Sequence, residues 1–182
     1  ENVVLVGIVD ADQSLYHADY RSSERTFQLI TQVSGRAGRS VAEGKVVLQS
    51  YSPRHYVYKF AANYDYKGFF RKEENIRQVA QFPPFTRIIR VLFADHDEEY
   101  VRGLLKTCYY KIEELKSVYG DEIIYLDAMK SPIKRIQDKY RYQIMMRLKL
   151  EHADEIEEKV FEIVDKESKN AVFFEINPQN LS

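Results

Sequence analysis

Between Tyr140 and Leu150 two sets of side chains alternate without a break. Tyr140, Tyr142, Ile144, Met146, Leu148 and Leu150 take one face, and Arg141, Gln143, Met145, Arg147 and Lys149 the other. Successive strand side chains point to opposite faces, so this period predicts a strand with one side in a core. Two helical stripes bracket it. Val101, Leu104, Leu105, Cys108, Ile112, Leu115 and Tyr119 recur at helical spacing, as do Ala153, Ile156, Val160 and Ile163. Thr86 to Ala94, Ile123 to Ala128 and Ala171 to Ile176 read as further strands. The order β-α-β-β-α-β predicts an α+β, ferredoxin-like split βαβ sandwich over 86–182.

The first half has a different pattern. Val3 to Val9 is a continuous aliphatic run, the pattern of a strand buried on both faces of a parallel α/β sheet. Asp10 and Asp12 follow at its C-terminal end, where open α/β sheets place their ligands. Ser22 or Ser23 can cap a helix running to Ser34. A second strand is expected from Lys45 to Ser50. This gives the closing α/β portion of a domain over 1–53. Two helical pieces, with Asn63 and Asp65 near the joint, form a connector over 54–85. Pro83 and Pro84 in QFPPF end it, because proline cannot continue a helix.

The net charge of -1 is a poor guide to partners, because the charge is locally segregated. Lys130, Lys134, Arg135, Lys139 and Arg141 lie close together, with only Asp138 opposing. The helix from Glu151 to Ser168 carries eight acids and two lysines and should repel DNA. Binding to nucleic acid would therefore be one-sided. The basic side chains are candidates for phosphate contacts, or else the solvated face of a hairpin. Tyr140 and Tyr142 fall on the aliphatic face and belong to the core. The single cysteine, Cys108, rules out an internal disulfide and a multi-cysteine zinc site, and suits a reducing, cytoplasmic compartment. His17 and His55 lack partners at metal-ligand spacing, so no metal site is expected. No apolar run approaches the roughly 20 residues of a membrane helix, and no signal peptide is visible. The chain opens at Glu1 directly into an apolar run, which reads as a strand excised from a larger protein.

The sharpest chemical signal is QVSGRAGRS, residues 32–40. Gln32, Arg36 and Arg39 are spaced by four and three, offsets that share one face of a helix. Gly35 and Gly38 add no bulk beside them. An amide and two guanidiniums suit the γ-phosphate of a nucleotide held by another domain, because the arginine fork matches phosphate oxygens. The bland alternative is a solvated basic helix end. Asp10 and Asp12 could couple nucleotide to DNA or hold Arg36, or could cap the turn that follows them.

The motif resembles motif VI of superfamily 2 helicases, with Gln32, Arg36 and Arg39 all matching. The series LVGIVDADQSLYHADYRSSERTFQLITQVSGRAGR, GKVVLQSYSP, QFPPF and KRIQDKYRYQI is similar to the primosomal protein N′ family of replication-restart DNA helicases. The resemblance runs from about residue 3 to 178. It implies that 1–53 ends a RecA-like second motor lobe of an ATP-dependent helicase. Arg36 and Arg39 would act in catalysis there, with Gln32 and Gly35 completing the nucleotide-binding face. The chain has no G-x-x-x-x-G-K-[ST] loop and no acidic magnesium motif. ATP and Mg would then be bound chiefly by an upstream lobe, and zinc by an upstream insertion. The fragment alone is expected to be inactive. The resemblance implies a bacterial, nucleoid-associated protein working on branched or fork DNA with other primosome proteins. It also implies a pocket for the acidic C-terminal tail of single-stranded-DNA-binding protein. Lys139 would pair there with the tail carboxylate and Gln143 would hydrogen-bond it. DNA would meet Lys130, Lys134, Arg135 and Arg141. Lys139 lacks the bidentate fork of the arginine frequent in the family. Two other classes compete: a non-enzymatic nucleic-acid-binding module, which would have no use for a γ-phosphate sensor, and another superfamily 2 repair helicase, which QFPPF and the β-α-β-β-α-β order argue against.

Overall fold

A computed structural model describes residues 5–17, 19–37, 44–168 and 172–178. The chain divides into two compact units, Glu1–Val79 and Ala80–Ser182.

In the first unit, β1 (Leu5–Ile8) and β2 (Lys45–Leu48) form a parallel pair, with Leu5 opposite Lys45 and Ile8 opposite Leu48. The expected parallel pairing is present, but neither strand is buried on both faces. Leu5 and Val47 are exposed, because none of the described residues covers the second face of the pair. Helix α1 (Ser22–Ser34) covers the first. Its expected serine cap is absent: Arg21 holds the N-cap position and no side chain caps the helix. Asp19 serves the turn instead, its carboxylate accepting the Arg21 N–H at 2.9 Å and the Arg25 guanidinium at 2.9 Å. The segment expected as a connector is part of this unit's core. Helices α2 (Tyr56–Ala62) and α3 (Tyr66–Val79) contribute Val57, Tyr58, Ala61 and Phe69, which pack with Ala11, Phe27 and Ile30. The Phe27 and Phe69 rings stack at 4.3 Å. His55 caps α2 through its own ring nitrogen, which accepts the Val57 N–H.

In the second unit, β3 (Arg87–Asp95), β4 (Ile123–Ile136), β5 (Lys139–Leu148) and β6 (Val172–Ile176) form one antiparallel sheet in the order β4-β5-β3-β6. This is the split βαβ arrangement expected from the element order. Helices α4 (Glu98–Glu114) and α6 (Ala153–Glu167) cover one face, and a short helix α5 (Lys116–Tyr119) follows α4. Ile89, Val91 and Phe93 of β3 meet Tyr142, Ile144, Met146 and Leu148 of β5 under Val101, Leu105, Cys108 and Ile112 of α4 and Ile156 and Val160 of α6. Tyr142 is thus core, as its alternation requires, and Tyr140 packs against that core. Leu150, expected to extend the strand, lies beyond its end and is exposed.

One element departs strongly from expectation. β4 was expected to stop near Ala128 but runs on to Ile136, because pairing with β5 resumes past a four-residue bulge, Lys130 opposite Tyr142 and Arg135 opposite Tyr140. Gln137 and Asp138 both take positive φ and close the hairpin tightly. On the sheet face away from the helices, Arg147 lies 4.6 Å above the Phe82 ring and donates to the Ala80 carbonyl at 3.0 Å. The QFPPF turn is thereby folded against the end of β5. No helix among the described residues is long and apolar enough to cross a membrane.

Candidate nucleotide-sensing and binding surfaces

Gln32 lies in the last turn of α1 and is exposed. Arg36 does not share its helix. The helix ends at Ser34, and Gly35 and Arg36 lie in a turn held by Gly35 N–H to the Thr31 carbonyl and Arg36 N–H to the Val33 carbonyl, at 3.0 and 3.1 Å. The expectation of one helical face for Gln32, Arg36 and Arg39 is therefore corrected at Arg36. Two glycines in four residues lower helix propensity enough for the helix to stop before them. Arg39 and Gly38 lie outside the described residues. The Arg36 guanidinium is exposed and makes no ion pair among the described residues. Gln32 and Arg36 thus both present exposed side chains at the C-terminal end of α1.

Asp10 and Asp12 part company. Asp10 is exposed with φ 52°. Asp12 is only 2% exposed, and its carboxylate is fully engaged. It accepts the Tyr51 N–H at 2.6 Å, the Ser50 hydroxyl at 2.8 Å and the Tyr58 hydroxyl at 2.9 Å. Burial alone would raise the Asp12 carboxyl; the bonds from Tyr51, Ser50 and Tyr58 outweigh it and hold the carboxyl below its ordinary value. Tyr58, buried beside that carboxylate, is pushed up to about 12. Asp12 thus clamps the ends of β1 and β2 onto α2. Among the described residues Arg36 is not one of its partners. An apolar cleft of about 390 Å³ opens in the same unit between Ile30, Val46, Leu48, Tyr58 and Ala61, and neither Gln32 nor Arg36 lines it.

In the second unit the basic residues divide into two groups. Lys130 lies 3.5 Å from Glu98 and 5.5 Å from the Tyr142 ring, and Arg135 lies 3.3 Å from Asp138 and 4.9 Å from the Tyr140 ring. Glu98 also accepts the Tyr142 hydroxyl at 2.6 Å, which with Lys130 holds its carboxyl below the ordinary value. Lys134, in the bulge, is exposed and makes no ion pair among the described residues, and Arg141 likewise makes none. Exposed ion pairs hold their cations only weakly. Lys130, Lys134 and Arg135 are exposed and Arg141 is half-buried.

Lys139 and Arg141 line a pocket of about 200 Å³ with Ala94, Ile136, Gln137 and Phe173. Alternation puts Lys139, Arg141 and Gln143 on the same side of β5. Gln143 is outside this pocket and only 2% exposed, between its strand neighbours Leu92 and Met129. Its Oε1 has no hydrogen-bond partner among the described residues. An amide expected to reach a partner tail is therefore buried. Sequence alternation identifies the face of a residue and not how deeply its neighbours bury it. Elsewhere Glu122, Glu151 and His152 bring ligand atoms within 4.8 Å of one another, but Lys149 lies 3.6 Å from Glu122 and supplies the positive charge there.

A four-stranded antiparallel sheet with helices on one face and a basic hairpin at one edge is an α+β domain, with a smaller α/β unit before it. Residues 78–179 match the family described as Primosomal protein N C-terminal domain. The chain belongs to that family. It is 40% identical over 150 residues to the replication restart protein PriA of Bacillus subtilis (strain 168), covering 82% of this chain and 18% of that protein. It is 33% identical over 145 residues to replication restart protein PriA of Borreliella burgdorferi, covering 80% of this chain and 22% of that one. To the same protein of a Synechocystis strain it is 36% identical over 145 residues, covering 80% of this chain and 17% of the relative. The chain spans about a fifth of the length of these relatives.

Proposed function

We propose that this chain serves an ATP-dependent DNA helicase of replication restart. Its first unit ends a RecA-like motor lobe, and its second binds DNA and a partner tail. The observation that carries the motor reading is Arg36, exposed and unpaired among the described residues on a turn directly after α1. Gln32, Gly35 and Arg39 complete the nucleotide-facing segment. ATP and its Mg supply the phosphoryl chemistry when bound on segments outside this chain. Here Arg36 and Arg39 offer permanent positive charge to the phosphate oxygens, a contribution worth several orders of magnitude in rate in such enzymes. Asp10, exposed at the strand end, remains a candidate for coupling to DNA. For Asp12 the three bonds support a clamping role.

In the second unit Lys130, Lys134, Arg135 and Arg141 bind the phosphates of branched DNA. Lys139, at the mouth of its pocket, takes the carboxylate of the tail of single-stranded-DNA-binding protein. Gln143 would hydrogen-bond that tail only after its neighbours part. The parent works with other primosome proteins in the bacterial cytoplasm, at the nucleoid. The test is Arg36→Ala in the full-length parent, assayed for DNA-stimulated ATP turnover. A loss of at least about a hundredfold is expected. Near-normal turnover would exclude the phosphate-sensing role, and turnover by the 182-residue chain alone would overturn the division of labour between lobes.

A further inference from the structure

The two edges of the four-stranded sheet are built differently. The β4 edge carries the devices that natural sheets use against unwanted pairing: Pro132, a four-residue bulge, and exposed Lys130, Lys134 and Arg135. The β6 edge carries none of these. Val172–Ile176 reads VFFEI, without proline, lysine or bulge. It pairs with β3 through its whole length, from Ile89 opposite Ile176 to Phe93 opposite Val172, and with no other strand among the described residues. Its one charged residue, Glu175, is turned to Arg90 of β3. Phe173 and Ile176 are exposed at 55% and 47%. An unprotected apolar edge of this kind is a template for another strand.

Beside it lies a groove of about 320 Å³, lined by Phe174 of β6 and by Glu157, Glu158, Phe161 and Glu162 of α6. Phe161 meets Phe174 edge-to-face at 5.9 Å yet stays 55% exposed. The acids of this flank are unequally satisfied. Glu157 pairs with Arg87, whereas Glu158 has no cation partner among the described residues and Glu162 only a loose one, Lys166 at 3.9 Å with both side chains exposed. Aromatic floor, acidic rim and open strand edge therefore coincide.

We propose that β6 and this groove form a docking site for an extended basic segment of a partner protein, bound as a fifth strand. Main-chain bonds to β6 supply the pairing, and the side chains turned toward α6, every second residue, are an aromatic over Phe161 flanked by lysines or arginines that meet Glu158 and Glu162. DNA, which the acids repel, is not the occupant.

The test uses the 182-residue chain and a labelled peptide in which every second residue reads Lys, Phe, Lys with Thr between them, beside a control with Glu in place of each Lys. Anisotropy titration is expected to show saturable binding of the basic peptide and none of the acidic one. Phe161→Ala and the pair Glu158→Lys, Glu162→Lys should each weaken binding by about tenfold. These side chains are exposed, so both variants should keep the wild-type fold, checked by circular dichroism. Hydrogen exchange supplies the second measurement, with slower exchange expected across Val172–Ile176 in the complex. No binding, equal binding of the two peptides, insensitivity to both variants, or binding without protection of β6 would each overturn the proposal.

Discussion

The Tyr58 hydroxyl donates to the carboxylate of Asp12 across 2.9 Å, joining residues 46 apart in sequence. The bond is buried and ends on a charge, and such bonds contribute more than neutral ones. Tyr58→Phe should therefore destabilise the first unit by about 2 kcal/mol while leaving its core volume unchanged. Chemical denaturation followed by fluorescence of its tyrosines measures this. A change within about 0.5 kcal/mol would show that the bond is dispensable.

The same pair sets a pH window. Asp12 is held below its ordinary value of 3.8, so its stabilisation is present above that value and lost as pH falls through the lower, folded-state value. Tyr58 is raised from 10.0 to about 12, so its contribution is full below 10.0 and is lost as pH rises toward about 12. Melting temperature against pH should fall at both ends. In Tyr58→Phe the alkaline fall should be shallower than in the wild type. Identical alkaline limbs would remove Tyr58 from the account.

DNA binding by the second unit should weaken as salt rises, with a log-log slope of about -0.7 to -0.9 for each phosphate contacted. Lys134→Glu should cost more affinity than Lys130→Glu, because Lys130 is shared with Glu98 and the Tyr142 ring whereas Lys134 is not so held. Reversing Lys134 and Arg141 together should flatten the slope by about one to two units. Titration of labelled fork DNA at two salt concentrations checks the order. Lys139→Glu in the same titration should abolish binding of a tail peptide while sparing most DNA affinity, and equal loss of both ligands would mean one shared surface.

Gln143 yields a prediction of opposite sign. Its buried Oε1 lacks a partner among the described residues, and an orphaned polar atom costs about 1–3 kcal/mol. Gln143→Leu should raise the stability of the second unit by about 1 kcal/mol. If the amide also serves the partner tail, the same change should weaken tail binding. Stability gained together with tail affinity kept would mark Gln143 as a packing residue only.

Sheet, helices and core of the second unit were legible because each buries one face, and burial writes its period into the residues, as at Ile144, Met146 and Leu148. The second half of β4 was not, because Lys130 to Ile136 is basic and contains Pro132. Only the partner strand β5 makes it a strand. The role of Asp12 was equally hidden, since its donors come from 38 to 46 residues away. The Gln32–Arg36 spacing did not give the local geometry, because the helix ends at Ser34, before Gly35 and Arg36.

The central place of β3 has a consequence for synthesis on the ribosome. β3 leaves the ribosome first among the strands of its unit, yet its neighbours β5 and β6 come last, with Arg90 opposite Met145 and Glu175. At about 5–20 residues per second, roughly 3–11 s pass before the first partner is made and roughly 4–17 s before the second. During that interval the nascent chain displays Ile88, Ile89, Val91, Leu92 and Phe93 with both flanks unpaired. The helix α4, which follows β3 directly and is capped by the Asp97 carboxylate, forms without waiting for distant sequence and is placed to shelter one side of that strand until the remainder arrives.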